Sequence, residues 1–386
     1  MLLTGVTLCK RRGRESLAVT QGYVNALDNS SKVEPPQIRT RNSLSPVTVA
    51  PRGNFSQTAN MADTPASSTR LRLMRRRIPE ISPITSSSIA LFRLGEVCNH
   101  HCPMCSNSGR PEGHLIDTSD LLRRINWLHE QGLRRVVVTG GEPTIHPGFW
   151  QVAEHLARAD FAWDINSNGT RFGEPGLAAR AADLGLLRAI ISLHSHNPEQ
   201  SCLVSGINLN QHLAIPLGID ALLAAGVQVM INLVITRITI GTLSSFVDFC
   251  YASWGSRAVL KVVFPSTAGK GGAWTGIQLR YREVVADLLA AQQRAETLEL
   301  DLSFENVPPC VVGDSRLRNV DRSGFGETHY LEDLEGKQLF SIKHIESCFN
   351  AYPETCRNCI SFSNCQGVAE SYLRSYGAEE FVPLRE

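Results

Sequence analysis

Leu133-Arg134-Arg135-Val136-Val137-Val138-Thr139-Gly140-Gly141-Glu142-Pro143 is an apolar run of strand length that ends in two glycines, a carboxylate and a proline. On either side the period changes from two to that of an amphipathic helix, over 118–131 before it and 148–159 after it, with Gly132 where a helix C-cap belongs. The same unit recurs along the chain. Strands are predicted over 89–94, 135–139, 161–166, 188–193, 227–235 and 258–264. Helices are predicted over 118–131, 148–159, 175–184, 210–225, 243–252 and 280–295, and Gly185 and Gly226 again occupy C-cap positions. Parallel strands cannot be joined by a hairpin, so six strand–helix alternations imply a parallel sheet with crossover helices. The expected fold class is α/β, a partial (β/α)6 TIM-like barrel over 86–295, with active residues at the C-terminal ends of its strands.

The flanks read differently. Residues 1–80 are rich in Ser, Thr, Asn, Pro and Arg and lack periodicity, which predicts a disordered N-terminal extension. Its basic, acid-poor character also suits an organelle-targeting segment, but Met61-Ala62-Asp63 reads as a genuine start. After 296 the alternation stops. A strand over 301–304 and a short helix near 367–376 are the elements expected in 296–386, a small C-terminal cysteine-rich domain organised around a metal.

Composition narrows the function. A hydrophobic content of 42% and a charged content of 19% suit a globular chain of 386 residues. No run approaches the roughly 18 apolar residues of a membrane span, so no membrane partner is expected. The net charge of +1 hides 13 Lys/Arg against 5 Asp/Glu in residues 1–80, which leaves 25 against 32 in the remainder. Phosphate neutralisation needs clustered cations, so the acidic body speaks against nucleic acid.

Eleven cysteines are unevenly placed, three of them within 98–105 and four within 348–365. There is no secretory signal, and without an oxidising compartment closely spaced cysteines read as metal ligands rather than disulfides. Cys98-Asn99-His100-His101-Cys102-Pro103-Met104-Cys105 follows directly on the first predicted strand. Three thiolates from one loop can hold three irons of a [4Fe–4S] cube and leave the fourth iron open. Structural zinc wants four closed ligands, and His101, adjacent to Cys102, is cramped as a fourth.

This loop resembles the signature of the radical S-adenosylmethionine (SAM) superfamily, in which SAM chelates the fourth iron through its amino and carboxylate groups. Met104 stands where the family often has an aromatic residue. Gly140-Gly141-Glu142-Pro143, one strand–helix unit later, resembles the family's element for the SAM amino group. Adjacent glycines permit close backbone approach, and a carboxylate accepts from an ammonium. Asn166 and Asn168, Ser192 and His194, and Asn232 stand at later strand ends, at positions that the resemblance implies are cofactor-binding. The same residues also suit turn formers or satisfied strand-end side chains, and His194 and His196 receive no acid–base role.

Farther on, Cys348-x7-Cys356-x2-Cys359-x5-Cys365, with Cys310 upstream, is a metal-binding spacing that suits zinc as well as iron–sulfur. It resembles the auxiliary-cluster domains, SPASM or the shorter twitch type, that follow radical SAM barrels, which implies an auxiliary [4Fe–4S] cluster. Cys356, Cys359 and Cys365 are its expected ligands, with Cys310 or Cys348 as the fourth.

The resemblance implies an oxidoreductase-like or peptide-modifying enzyme. One electron on the Cys98/Cys102/Cys105 cluster cleaves SAM to a 5′-deoxyadenosyl radical, which abstracts hydrogen from a peptide or amino-acid-derived substrate. Two alternatives are a small-molecule intermediate that is dehydrogenated, decarboxylated or epimerised, and a non-catalytic iron–sulfur carrier or scaffold. A flavodoxin or ferredoxin is the expected electron donor, and a reducing cytoplasm the expected location.

Overall fold

In the computed structural model, residues 72–385 are described apart from 78, 80–82, 106–112, 266–274, 313–327 and 332–338. The sequence expectations for residues 1–71 lie outside the described residues.

The six expected strands form as β2 (Ile89–Arg93), β3 (Arg135–Thr139), β4 (Ala162–Ser167), β5 (Leu186–Ser192), β6 (Gln228–Val234) and β7 (Ala258–Val263), preceded in the chain by β1 (Leu73–Met74). All five neighbouring pairs from β2 to β7 are parallel. The crossovers are α1 (Thr118–Glu130), α2 (Phe149–Arg158), α3 (Leu177–Asp183), α5 (Leu209–Ala224) and α6 (Leu243–Trp254), with α7 (Tyr281–Thr297) after β7. Between β5 and α5 lies a further helix, α4 (Pro198–Ser205), which periodicity does not predict.

The sheet runs beyond six strands on both sides. β8 (Leu302–Glu305) adds in parallel to β7. β9 (Thr328–Leu331) adds in parallel to β2, and β10 (Leu339–Ser341) pairs antiparallel with β9. The order is therefore β10-β9-β2-β3-β4-β5-β6-β7-β8. β8 thus falls on the strand expected over 301–304 but extends this sheet, whereas β9 and β10 are too short to show as alternation in the sequence.

Side-chain alternation sorts the strands into two faces. Phe92, Val138, Ile165, Ile191, Ile231 and Leu260 are buried in the core that the strands share with the helices. The helices meet them at helical spacing, with Leu121, Ile125 and Leu128 on α1 and Val284, Leu288, Ala291 and Ala295 on α7. The opposite face carries charges in pairs. Arg135 bonds Asp164 at 2.9 Å, and Lys261 bonds Glu305 at 2.9 Å. This inward face leads up to the strand ends that carry the sequence motifs.

Past β10 come α8 (Ile342–Phe349), β11 (Asn350–Pro353), β12 (Val368–Ala369) and α9 (Glu370–Tyr376). β1 pairs antiparallel with β11, which pairs with β12, giving a second sheet of three strands. Residues 72–77 fall within the extension that the sequence reading drew to residue 80, yet they contribute this strand. Its partner, β11, lies more than 270 residues away in sequence, which no local pattern reveals. No described helix is long and apolar enough to cross a membrane.

Candidate active site

The cysteine loop leaves the end of β2 and is bound at once to the glycine turn at the end of β3. Leu94 donates its N–H to Thr139, while Gly141 and Glu142 donate theirs to Gly95 and Val97 at 2.9 and 2.8 Å. The approach is closer than any side chain permits. A Cβ on Gly141 would stand 2.1 Å from the Val97 carbonyl oxygen, and one on Gly140 would stand 2.6 Å from that of Gly95. The paired glycines are therefore a steric requirement of the joint.

The loop is fastened on its other flank by α4 and α5. His101 donates to the Ser205 carbonyl at 3.2 Å, and the Cys102 thiol lies 3.4 Å from the same oxygen. Gly206 caps α4 in the left-handed region at φ 59°, where a Cβ would meet His101 O at 2.3 Å. Gln211, in the capping box that opens α5, also donates its side-chain amide to Asn99 O at 2.9 Å. Asn168 completes the fastening. It donates to Asn99 Oδ1 at 2.6 Å, and its Oδ1 accepts from Thr170 N and Oγ1 at 3.1 and 2.7 Å. Asn99, Thr170 and Gln211 were not singled out from sequence, since their partners are 69 to 112 residues away.

The three thiols share one electrostatic environment. Burial and then the neighbouring Cys105 and Cys98 push Cys102 up to about 12. Burial also raises Cys98, with Glu142 and Cys105 adding to it. Three thiolates gathered this way need a cation to hold them ionised. Met104 is buried with Val204 and Ile277, so the residue before the third cysteine anchors the loop by packing.

Glu142 is 2% exposed. Its Oε1 accepts from Thr144 N at 3.1 Å, Thr144 Oγ1 at 2.6 Å and Ser167 Oγ at 2.9 Å, and Oε2 accepts from Asn168 N at 2.7 Å. Burial raises its pKa, and these hydrogen bonds oppose the rise. The carboxylate thus clamps the β3 and β4 strand ends together. Pro143 is buried in the 3-10 turn that follows.

Asn166, Ser192 and Asn232 are half-buried on the inward-facing rows, and Ser192 and Asn232 are cross-strand partners. Asn232 Oδ1 is buried without a hydrogen-bond partner among the described residues, and so is His100 Nε2. His194 accepts from Val234 N at 3.2 Å, and burial, then His100, pushes it down to about 4. Burial pushes His100 itself to about 4, so both imidazoles are neutral at pH 7. Three thiols on one loop, with the unpartnered His100 Nε2 between two of them in sequence, form a donor set suited to a metal centre.

Residues 92–250 match the family model described as the radical SAM superfamily. They form a radical SAM domain. Members of this superfamily use a [4Fe–4S] cluster and SAM, and the donor set and orphaned polar atoms just described are compatible with both. The chain is 28% identical over 189 residues to a probable GTP 3′,8-cyclase of Sulfolobus acidocaldarius, covering 48% of this chain and 59% of that protein. It is 29% identical over 251 residues to the mycofactocin maturase MftC of Mycobacterium ulcerans, covering 64% and 65%. Among solved structures it resembles Streptococcus suis SuiB bound to S-adenosylmethionine, at 15% identity and a TM-score of 0.48, over 76% of this chain and 65% of that one. The chain spans about half the length of the curated relatives it matches.

The C-terminal cysteines separate into four and one. Burial, then Cys365, Cys356 and Cys359, pushes Cys310 up to about 12, and burial with Cys365 and Cys359 pushes Cys356 to about 11. Cys348 is exposed, and its thiol lies 3.8 Å from His344 Nε2. Among the described residues, no three or more His, Cys, Asp or Glu close around a single ion.

Proposed function

We propose that this chain reductively cleaves SAM and uses the resulting radical to modify a peptide or amino-acid-derived substrate. The observation that carries the reading is the joint between the cysteine loop and the Gly140-Gly141-Glu142 turn, which is packed too closely for any Cβ and fixes the stem of the loop that carries Cys98, Cys102 and Cys105. A cluster held there would supply the one electron that cleaves the C5′–S bond of SAM to methionine and a 5′-deoxyadenosyl radical, the agent that would take a hydrogen atom from a substrate C–H bond. The protein's part is to bind and orient. Cys98, Cys102 and Cys105 hold three irons. Gly140, Gly141, Glu142 and Pro143 would hold the amino-acid end of SAM, the glycines by letting the turn close onto Gly95 and Val97. Asn166, Asn168, Ser192, His194 and Asn232 line the approach of the adenosyl group along the strand ends.

Cys310, Cys356, Cys359 and Cys365 are proposed to hold the auxiliary [4Fe–4S] cluster. Their shared electrostatic environment supports Cys310 rather than Cys348 as the fourth ligand. Among substrates, the longer match to a relative named as a maturase supports the peptide reading, whereas the cyclase names keep a small-molecule substrate as the second reading. A cubane exposed to SAM suits a reducing cytoplasm with a flavodoxin- or ferredoxin-type donor.

The test is anaerobic incubation of the reconstituted protein with SAM and dithionite. The expected result is 5′-deoxyadenosine formation that Cys98→Ala abolishes, on a protein with about eight irons per chain. Equal amounts from both proteins would leave a carrier or scaffold as the remaining reading.

A further inference from the structure

The basic run Arg75-Arg76-Arg77 follows β1, and it is built into the cysteine-rich region at atomic contact. β1 sets Met74 opposite Tyr352 and Leu73 opposite Pro353 on β11. Arg75 donates to Cys348 O at 2.6 Å and pairs with Glu370. Arg76 is half-buried. Its guanidinium lies 5.6 Å from the Tyr352 ring centroid and 5.3 Å from that of Phe362, and it donates to Phe362 O. These two rings meet edge to face at 5.1 Å, so the cation is held against an aromatic corner.

That corner is attached to a cysteine. Tyr352 donates its hydroxyl to Cys365 O at 2.8 Å, and Gly367 N–H points to Cys365 Sγ at 3.3 Å. Arg76 and Cys365 also line one cavity, of about 210 Å³, with Lys343, Asn350 and Asn364.

We propose that Arg76 is a fixed charge that sets the reduction potential of the auxiliary cluster held by Cys310, Cys356, Cys359 and Cys365. The inference rests on the auxiliary-cluster reading above. A cation beside a cluster stabilises its reduced, more negative state, which raises the potential and suits a centre that takes an electron from a substrate radical. At the effective dielectric of a partly buried site, a nearby unit charge is worth about a tenfold change in an equilibrium. For a one-electron couple that is about 59 mV.

The test is a potentiometric titration of the full holoprotein followed by electron paramagnetic resonance, reading the signal that SAM does not perturb. Arg76→Gln with unchanged iron content is expected to lower that potential by about 59 mV. The SAM-responsive signal should stay in place, and Arg76→Lys should recover most of the shift. Full iron with an unmoved potential in Arg76→Gln would overturn the role of Arg76 alone. If Arg76→Gln loses iron, Arg76→Lys decides. Restored iron at the wild-type potential supports a charge effect, and continued iron loss shows a merely structural arginine. A wild type with about four irons and no SAM-indifferent signal would remove the auxiliary cluster, and Arg76's role with it.

Discussion

Replacing Gly141 with alanine adds one methyl group at the narrowest point of the proposed site. Its Cβ would stand 2.1 Å from Val97 O and 2.5 Å from Glu96 O, whereas real Cβ atoms essentially never approach within 3.0 Å. Both obstacles are backbone, so no rotamer relieves the contact, and one strand end must retreat by about 1 Å. The obstacle is steric rather than conformational, since the backbone of Gly141 is not left-handed. The retreat strains the Glu142 N–H···Val97 O bond, now 2.8 Å, and carries Cys98 with Val97. Overpacking of this kind costs about 1–3 kcal/mol of stability. A misplacement of about 1 Å costs about 100-fold in a positioned reaction. The assay is single-turnover 5′-deoxyadenosine formation under dithionite, with iron content and thermal midpoint measured on the same preparation. A Gly141→Ala protein with full iron and a rate within about twofold of wild type would refute the argument that this joint positions the cofactor.

The two candidates for the fourth auxiliary ligand separate cleanly. Cys310→Ala is expected to reduce the iron content by about four per chain, while Cys348→Ala leaves it unchanged; the opposite pattern would reassign the ligand. His212 gives a pH signature away from the metals. Burial, then His196, pushes it down to about 4, and its Nδ1 lies 2.8 Å from Ser201 Oγ. The folded protein therefore keeps it neutral while the unfolded chain takes up a proton below about 6.5. Its contribution to stability is complete above that pH and is lost as the pH falls toward 4, reaching on the order of 2 kcal/mol by pH 5. His212→Gln should show a smaller drop in urea midpoint between pH 7 and pH 5 than wild type, and parallel drops would refute the assignment.

Where apolar spacing was regular, the sequence was sufficient. β3 forms over the residues expected, and the other five strands end within two residues of expectation. α4 escaped because its burial inverts the usual pattern. Ser201 and Ser205 are buried with Val204, while Leu203 is 63% exposed. The buried serines face the cysteine loop and His212, so the helix is specified by the site rather than by the core. β9 was invisible for a different reason. Four residues, Thr-His-Tyr-Leu, carry no period, and only the parallel pairing with β2 makes them a strand. The motifs around Cys98 and Gly140 were legible because each lies within eight residues of chain. The choice between Cys310 and Cys348 was not, because it depends on which distant loop reaches Cys356, Cys359 and Cys365.

Charge connects the clamp to the chemistry. Glu142 was expected to receive the ammonium of SAM, yet its carboxylate already accepts four hydrogen bonds from its own turn and from the end of β4. Those bonds favour an anion inside the protein, and that anion in turn raises Cys98. The neighbouring imidazoles offer no compensation, since His100 and His194 are neutral at pH 7. Burial and the neighbouring negative groups thus make ionisation of Cys98 and Cys102 harder. Such a set is stable in its ionised form only around cations. Irons bound to the thiolates and a sulfonium nucleoside bearing its own ammonium are the charges that match it. On this reading Glu142 serves the cofactor twice, by fixing the strand ends through its hydrogen bonds and by adding the negative field that makes a cationic ligand fit.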